Sequence, residues 1–122
     1  MVPNPSGWRV LVMEDDGLLA LHLSDILDDL GHTVVGPSRT VGDALAIIER
    51  ERIDIALLDV NLGNGETSYP VAEQLNRQGI PFAFLTGYGE AGVRKTFQNR
   101  PVVPKPVSEA HLVETLRQLR NG

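Results

Sequence analysis

The sequence contains no cysteine, only two lysines, few aromatic residues and no long apolar run. Without cysteine, a disulfide framework and a thiolate metal site are both excluded. No apolar stretch approaches the roughly 20 residues that a membrane-spanning helix needs. The first residues, Met1 to Pro5, also lack the charged and apolar regions of a secretory signal. We therefore expect a cytoplasmic protein that does not enter a membrane.

Positive charge is also scarce, because 11 Lys and Arg residues face 16 Asp and Glu residues, for a net charge of -5. The arginines form no run, which argues against a nucleic-acid partner. With 122 residues, 42% of them hydrophobic, the chain fits one ordinary globular domain. We expect a flexible N-terminal arm over residues 1–7 and the domain over residues 8–122.

Short apolar runs alternate with amphipathic segments along the whole chain. The runs predict strands at 9–13, 33–35, 53–58, 81–85 and 102–103. The amphipathic segments predict helices at 17–30, 41–52, 70–78 and 90–97, and a last helix after residue 108. Strands separated by helices predict an α/β fold, a doubly wound parallel sheet with helices on both faces.

Three local signals refine this prediction. Gly36-Pro37 is expected to end the second strand. The segment Glu90 to Phe97 is expected to form only a short helix, because Gly92 weakens it. Ser108 is expected to cap the last helix, whose inward residues would be Leu112, Val113, Leu116 and Leu119.

Polar residues follow four of the predicted strands, at the point where each strand ends. They are the acidic cluster Glu14-Asp15-Asp16, then Asp59, Thr86 and Lys105. In an open parallel sheet, the carboxyl ends of the strands meet at one edge, where ligands bind. Carboxylates, a hydroxyl and an ammonium gathered there predict a site for a divalent cation and a phosphoryl group.

Each residue suits a role in that chemistry. The carboxylate of Asp59 can attack a phosphoryl group and form an acyl phosphate. Mg²⁺ prefers oxygen ligands, so Asp15 and Asp59 are candidate ligands, with Glu14 holding a metal-bound water and a backbone carbonyl just after Asp59 completing the set. Lys105 supplies a mobile positive charge, and Thr86 a hydroxyl donor.

Ordinary structural roles are the alternatives. Asp16 is interpreted mainly as a helix cap. Taken singly, Asp59 and Thr86 would be turn residues and Lys105 a surface residue, but one such group at each successive strand end argues against four coincidences. Tyr69 and the phenylalanines are interpreted as packing residues. The sequence has neither a P-loop nor a GxGxxG motif, so nucleotide binding is not supported.

With these residues in view, the chain resembles the receiver domain of two-component response regulators over about residues 8 to 120. The motifs that carry the resemblance are Val10-Leu11-Val12-Met13-Glu14-Asp15-Asp16, Leu57-Leu58-Asp59-Val60-Asn61-Leu62, Phe84-Leu85-Thr86-Gly87 and Lys105-Pro106. The resemblance implies a flavodoxin-like (βα)5 fold with strand order 2-1-3-4-5. It also implies a phosphorylated switch module rather than a turnover enzyme.

The resemblance implies roles for individual residues as well. Asp59 would receive its phosphoryl group from a histidine kinase or a histidine phosphotransfer protein. Mg²⁺ would bind Asp15, Asp59 and the Asn61 carbonyl, with Glu14 assisting. Thr86 and Lys105 would bind the phosphoryl group, and the bond before Pro106 would be cis. The expected partners are the phosphodonor, a downstream protein and, on phosphorylation, a second copy of the chain.

One position departs from the common receiver pattern. Receivers usually carry an aromatic switch residue three positions before the lysine, where this chain has Val102. The stretch Pro81 to Gly89 instead resembles the FAT GUY branch of receivers, in which an aromatic residue follows Thr-Gly. By analogy, Tyr88 would take over the switch role together with Thr86.

Two other protein classes use related residues. A haloacid-dehalogenase-type phosphohydrolase needs an acid two residues after its nucleophile, where this chain has Asn61, and an acid pair after its lysine. A flavodoxin-like cofactor binder needs a phosphate loop after the first strand, where the acidic cluster would repel a phosphate. Both classes therefore fit the sequence less well than a receiver.

Overall fold

The computed structural model describes residues 7–63 and 65–121. Apart from Gly7, the expected N-terminal arm lies outside the described residues. The strands are β1 (Arg9–Met13), β2 (Thr33–Ser38), β3 (Ile55–Asp59), β4 (Phe82–Thr86) and β5 (Val102–Pro104). The α-helices of the described chain are α1 (Gly17–Asp29), α2 (Val41–Arg50), α3 (Tyr69–Arg77) and α4 (Glu109–Asn121).

All strand pairs are parallel, and the sheet order is β2-β1-β3-β4-β5. This confirms the doubly wound fold and the strand order that the resemblance implied. Alternate residues of β1 face opposite sides of the sheet, as in any strand. Leu11 and Met13 pack in a core with residues of α2 and α3, whereas Val10 and Val12 pack in a core with residues of α1 and α4.

The prediction that Gly36-Pro37 ends the second strand is wrong. β2 continues to Ser38, and its pairing with β1 shifts register between Leu11 and Met13. An edge strand tolerates proline, because the missing N–H can face away from the sheet. The longer strand matters for the site, since the Glu14 N–H donates to the Ser38 carbonyl at 3.0 Å.

The predicted helix over residues 90–97 is also wrong. Two short 3-10 turns replace it, Gly89–Gly92 and Lys95–Phe97. Gly89 adopts a φ of 59°, and Arg94 is extended with a ψ of 142°. The non-helical Arg94 backbone separates the two turns, so the described chain has four α-helices rather than the five of a (βα)5 pattern.

In α4 one inward residue was predicted wrongly. Val113 is 42% exposed, and Thr115 is buried instead. The helix repeat of 3.6 residues explains the difference, because the buried positions must recur every three or four residues. The buried residues of the helix are Leu112, Thr115, Leu116 and Leu119.

Candidate functional site

The predicted site residues lie at one edge of the sheet. Glu14 and Asp15 directly follow β1, Asp59 ends β3, Thr86 ends β4, and Lys105 directly follows β5. Backbone pairing keeps the last two strand ends in register, since the Lys105 N–H donates to the Thr86 carbonyl at 3.0 Å. The topology therefore brings together residues that are far apart in the sequence.

Lys105 connects two buried carboxylates. Its Nζ lies 3.0 Å from Asp59 Oδ1 and 3.1 Å from Glu14 Oε1. Glu14 is 1% exposed and Asp59 is 5% exposed. The other Glu14 oxygen accepts the Asp16 N–H at 3.0 Å, whereas Oε1 is buried without a hydrogen bond of good geometry. One ammonium thus serves two buried acids, which leaves the site short of positive charge.

Asp15 is held by the loop that follows β3. Its Oδ2 accepts the Gly63 N–H at 2.8 Å, and a Cβ added at Gly63 would lie 2.5 Å from the same oxygen. Asp16, by contrast, turns away and caps α1 by accepting the Leu18 and Leu19 N–H groups, as predicted. Adjacent acids therefore serve different purposes.

The acidic residues fit a hard divalent cation. Oxygen atoms of Glu14, Asp15 and Asp59 lie within 4.8 Å of one another. All of the side-chain donors are carboxylate oxygens, which Mg²⁺ prefers. Three carboxylates outnumber the Lys105 ammonium and the Arg39 guanidinium, which donates to the Asp15 carbonyl at 3.2 Å, so the site keeps a net negative charge that a cation would neutralise.

Burial and hydrogen bonding shift the pKa values in opposite directions. Burial raises the pKa of Asp59 to about 7, and the nearby Glu14 charge adds to this rise, although the Lys105 hydrogen bond opposes it. Burial also works against the Lys105 charge, but the bonds to Asp59 and Glu14 outweigh it and raise the pKa of Lys105. Burial would raise the pKa of Asp15, but hydrogen bonds, first among them the one from the Gly63 N–H, together outweigh it and hold the pKa of Asp15 below its usual value.

The metal-free protein is expected to lose stability as the pH rises through the range in which Asp59 titrates. The pKa of this group is raised from 3.8 to about 7 on folding, so the folded state keeps a proton that the unfolded chain loses. The free energy of unfolding should therefore fall between about pH 4 and about pH 7. Urea unfolding in a chelator across this range checks it, with Asp59→Asn as the control that lacks the dependence. If the free energy of unfolding varied with pH in the same way in wild type and in Asp59→Asn, the prediction would be contradicted.

A hydrogen bond joins the Thr86 side chain to the backbone of Tyr88. Thr86 is 3% exposed, and its Oγ1 accepts the Tyr88 N–H at 3.1 Å. The Tyr88 side chain itself is 76% exposed. Asn61 is exposed and pairs with Thr67 in an isolated antiparallel bridge. The peptide bond between Lys105 and Pro106 is cis, as the resemblance implied.

The sequence analysis did not identify two groups that hold the site and its surroundings in place. One is the Gly63 N–H, which no side-chain pattern reveals. The other is the hydroxyl of Tyr69, a residue predicted only to pack. A buried tyrosine usually finds a hydrogen-bond partner, and that preference could have indicated a further role.

Comparison with known proteins supports the class of protein that the fold and the acidic site indicate, a signalling receiver. Residues 10–117 match the response regulator receiver domain family. The chain therefore belongs to this family. Receiver domains are signalling domains rather than conventional enzymes, and the phosphohydrolase alternative finds no support.

Individual members of the family are similar to this chain in sequence and in structure. The phyllosphere-induced regulator PhyR of Methylorubrum extorquens is 30% identical over 116 residues, which cover 90% of this chain and 42% of PhyR. The solution structure of SdrG from Sphingomonas melonis Fr1 has a TM-score of 0.86 and 42% identity, and covers 95% of this chain and 98% of that one. A structure of the PhyR stress response regulator has a TM-score of 0.80 and 26% identity, and covers 93% of this chain and 45% of that one.

The chain spans about two-fifths of the length of the curated relatives that it matches. Within the part of the chain that the structure describes, no helix is long and apolar enough to cross a membrane.

Proposed function

We propose that the chain accepts a phosphoryl group on Asp59 in a two-component system and that this modification changes its binding to a downstream protein. The observation that carries the proposal is the placement of the Asp59 carboxylate. It is buried, lies 3.0 Å from Lys105 Nζ, and has oxygen neighbours on Glu14 and Asp15 within 4.8 Å.

The donor would be the phosphohistidine of a histidine kinase or a histidine phosphotransfer protein. An oxygen of Asp59 attacks phosphorus, and the bond from phosphorus to the donor imidazole breaks as the new P–O bond forms. Lys105 then exchanges its carboxylate contacts for a phosphoryl oxygen. Thr86 already accepts the Tyr88 N–H, and its own proton can be donated to another phosphoryl oxygen.

The ligands of Mg²⁺ would be carboxylate oxygens of Asp15 and Asp59 and the carbonyl of Asn61, with Glu14 assisting. When bound, the cation supplies the positive charge that lets an anionic carboxylate approach an anionic phosphoryl group. The residues of the chain itself position and neutralise the acids. Gly63 holds Asp15 in place, and Lys105 partly neutralises the two buried acids until the phosphoryl group arrives.

A phosphotransfer experiment tests the function. The purified chain is incubated with Mg²⁺ and either acetyl phosphate or a panel of autophosphorylated histidine kinases, and intact mass reports the product. One acid-labile phosphoryl group per chain is expected, and fast transfer from one kinase would identify the cognate donor. The likeness to a PhyR stress response regulator makes stress-signalling kinases the first to test. A chain that takes no phosphoryl group from any donor would refute the proposal.

Residues 87–97, here called the output segment, are proposed to carry the signal away from the site. Tyr88 is proposed as a switch residue with Thr86, because its N–H bonds the Thr86 hydroxyl while its ring is open to a partner. Tyr88→Ala is expected to reduce the NMR shifts that beryllofluoride, a phosphoryl mimic, induces across the output segment. Val113→Ala, another exposed apolar residue, is the control. Unchanged shifts in Tyr88→Ala would exclude Tyr88 as the relay.

A further inference from the structure

Tyr69 begins α3, the helix that follows the strand ending in Asp59. The residue is 7% exposed. Its ring stacks on Phe97 with centroids 5.7 Å apart and an angle of 3° between the planes, and it meets Phe84 edge-on at 5.8 Å. Tyr69 therefore packs between the central sheet and the end of the output segment.

The hydroxyl of Tyr69 holds the backbone of the output segment. It accepts the Arg94 N–H at 2.7 Å and lies 3.5 Å from the Gly92 carbonyl, at the long limit for a hydrogen bond. The Arg94 guanidinium lies over the same ring, 4.2 Å from its centroid. One side chain of α3 thus fixes the link between the two 3-10 turns.

That stretch of backbone packs against Thr86. A Cβ added at Gly92 would lie 2.7 Å from Thr86 Oγ1 and 2.9 Å from the Cβ of Tyr88. On its other side, the residue before α3 is bonded to the residue after β3, because the Ser68 N–H donates to the Val60 carbonyl at 3.0 Å. Tyr69 therefore lies between the residue that follows Asp59 and the backbone that abuts Thr86.

We propose that Tyr69 is a positioning residue whose hydroxyl holds the output segment against Thr86 in the unphosphorylated protein. When Thr86 moves toward a phosphoryl oxygen, its contact with Gly92 changes, and the Arg94 N–H leaves the Tyr69 hydroxyl. The inference rests on the proposed function. The Tyr69 hydroxyl would thus connect Thr86 to the output segment, in a chain that has Val102 where receivers usually carry an aromatic switch residue.

A reciprocal effect follows from this arrangement. If the Tyr69 hydroxyl stabilises the resting state, removing it must favour the phosphoryl-bound state by the same factor. A neutral hydrogen bond contributes modestly to the balance between two states, which corresponds to roughly a two- to tenfold change in an equilibrium. A residue with a purely structural role would not make a phosphoryl mimic bind more tightly.

Tyr69→Phe tests the proposal, because it removes the hydroxyl and keeps the ring. In the metal-free protein, the Arg94 amide is expected to exchange with solvent faster than in wild type. Beryllofluoride with Mg²⁺ is expected to bind roughly two- to tenfold more tightly. The free-state NMR shifts of the output segment should also move toward those of the beryllofluoride-bound wild type.

Matched variants make the outcome specific. Ser24→Ala removes a hydroxyl that donates to the Ala20 carbonyl within α1, outside the output segment, and should change none of these quantities. Gly92→Ala should shift the output segment in the same direction as Tyr69→Phe, since its Cβ crowds Thr86. Gly87→Ala, where an added Cβ meets nothing within 4 Å, should not.

Wild-type Arg94 exchange and wild-type beryllofluoride affinity in Tyr69→Phe would overturn the inference, and so would an equal response in Ser24→Ala. Failure of the wild-type protein to bind beryllofluoride would instead refute the proposed function. Even then, Arg94 exchange in the free protein would decide whether the Tyr69 hydroxyl holds the output segment.

Discussion

Replacing Asp59 by Asn is expected to abolish phosphorylation of the chain by acetyl phosphate or by a phosphorylated kinase. The amide is nearly isosteric with the carboxylate, but it cannot form an acyl phosphate. The fold should survive, because the substitution removes a buried charge that Glu14 repels and keeps a polar group beside Lys105. Intact-mass measurement of both proteins after incubation with donor and Mg²⁺ checks the prediction.

Asp54→Asn is the matched control for this experiment. Asp54 immediately precedes β3, at the opposite end of the strand from Asp59, and its side chain accepts the Arg9 N–H at 2.8 Å. It should be labelled like wild type, because it lies away from the site. Labelling of Asp59→Asn to the wild-type level would mean that another residue accepts the phosphoryl group.

Replacing Asp15 by Asn is expected to weaken Mg²⁺ binding at least tenfold and to abolish phosphorylation with it. A unit charge about 4 Å from another contributes up to about 4 kcal/mol at an effective dielectric constant of 20, so one lost carboxylate should weaken binding strongly. The metal-free variant is expected to be as stable as wild type or more so, because repulsion among the clustered acids falls. Calorimetric titration with Mg²⁺ and urea unfolding in a chelator measure the two effects.

Asp16→Asn is the control from the same acidic cluster. The Asp16 side chain caps α1, and asparagine caps a helix about as well as aspartate. Its Mg²⁺ affinity should therefore stay within a small factor of wild type. Equal Mg²⁺ affinities for Asp15→Asn and wild type would remove Asp15 from the proposed metal site.

Much of the fold could be predicted because its elements have strong local signals. β1 was predicted with its observed bounds, and β3 and β4 to within two residues, since apolar runs bounded by polar residues mark buried strands. The errors fell where local signals conflict with tertiary context. Gly36-Pro37 reads as a strand end, yet an edge strand accommodates it. Gly92 lowered helix propensity, but the division into two turns depends on contacts with Thr86 and Tyr69.

The candidate site shows the same division. The residue types and their places at strand ends predicted a cation and phosphoryl site, because parallel topology gathers those ends. The sequence could not show that Lys105 bridges Asp59 and Glu14, nor that the Gly63 N–H restrains Asp15. Those contacts join residues that are tens of positions apart in the chain, and no local pattern encodes them.

By itself, the sequence determined the fold class, the sheet edge that holds the site and the chemistry of its side chains, because periodicity and residue type are local properties. Only the tertiary structure decided that Lys105 contacts both Asp59 and Glu14 and how far burial raises the pKa of Asp59. It also decided that a tyrosine of α3 bonds the backbone beside Thr86. These properties depend on distance, burial and backbone direction, which arise only when the separate strands are packed together.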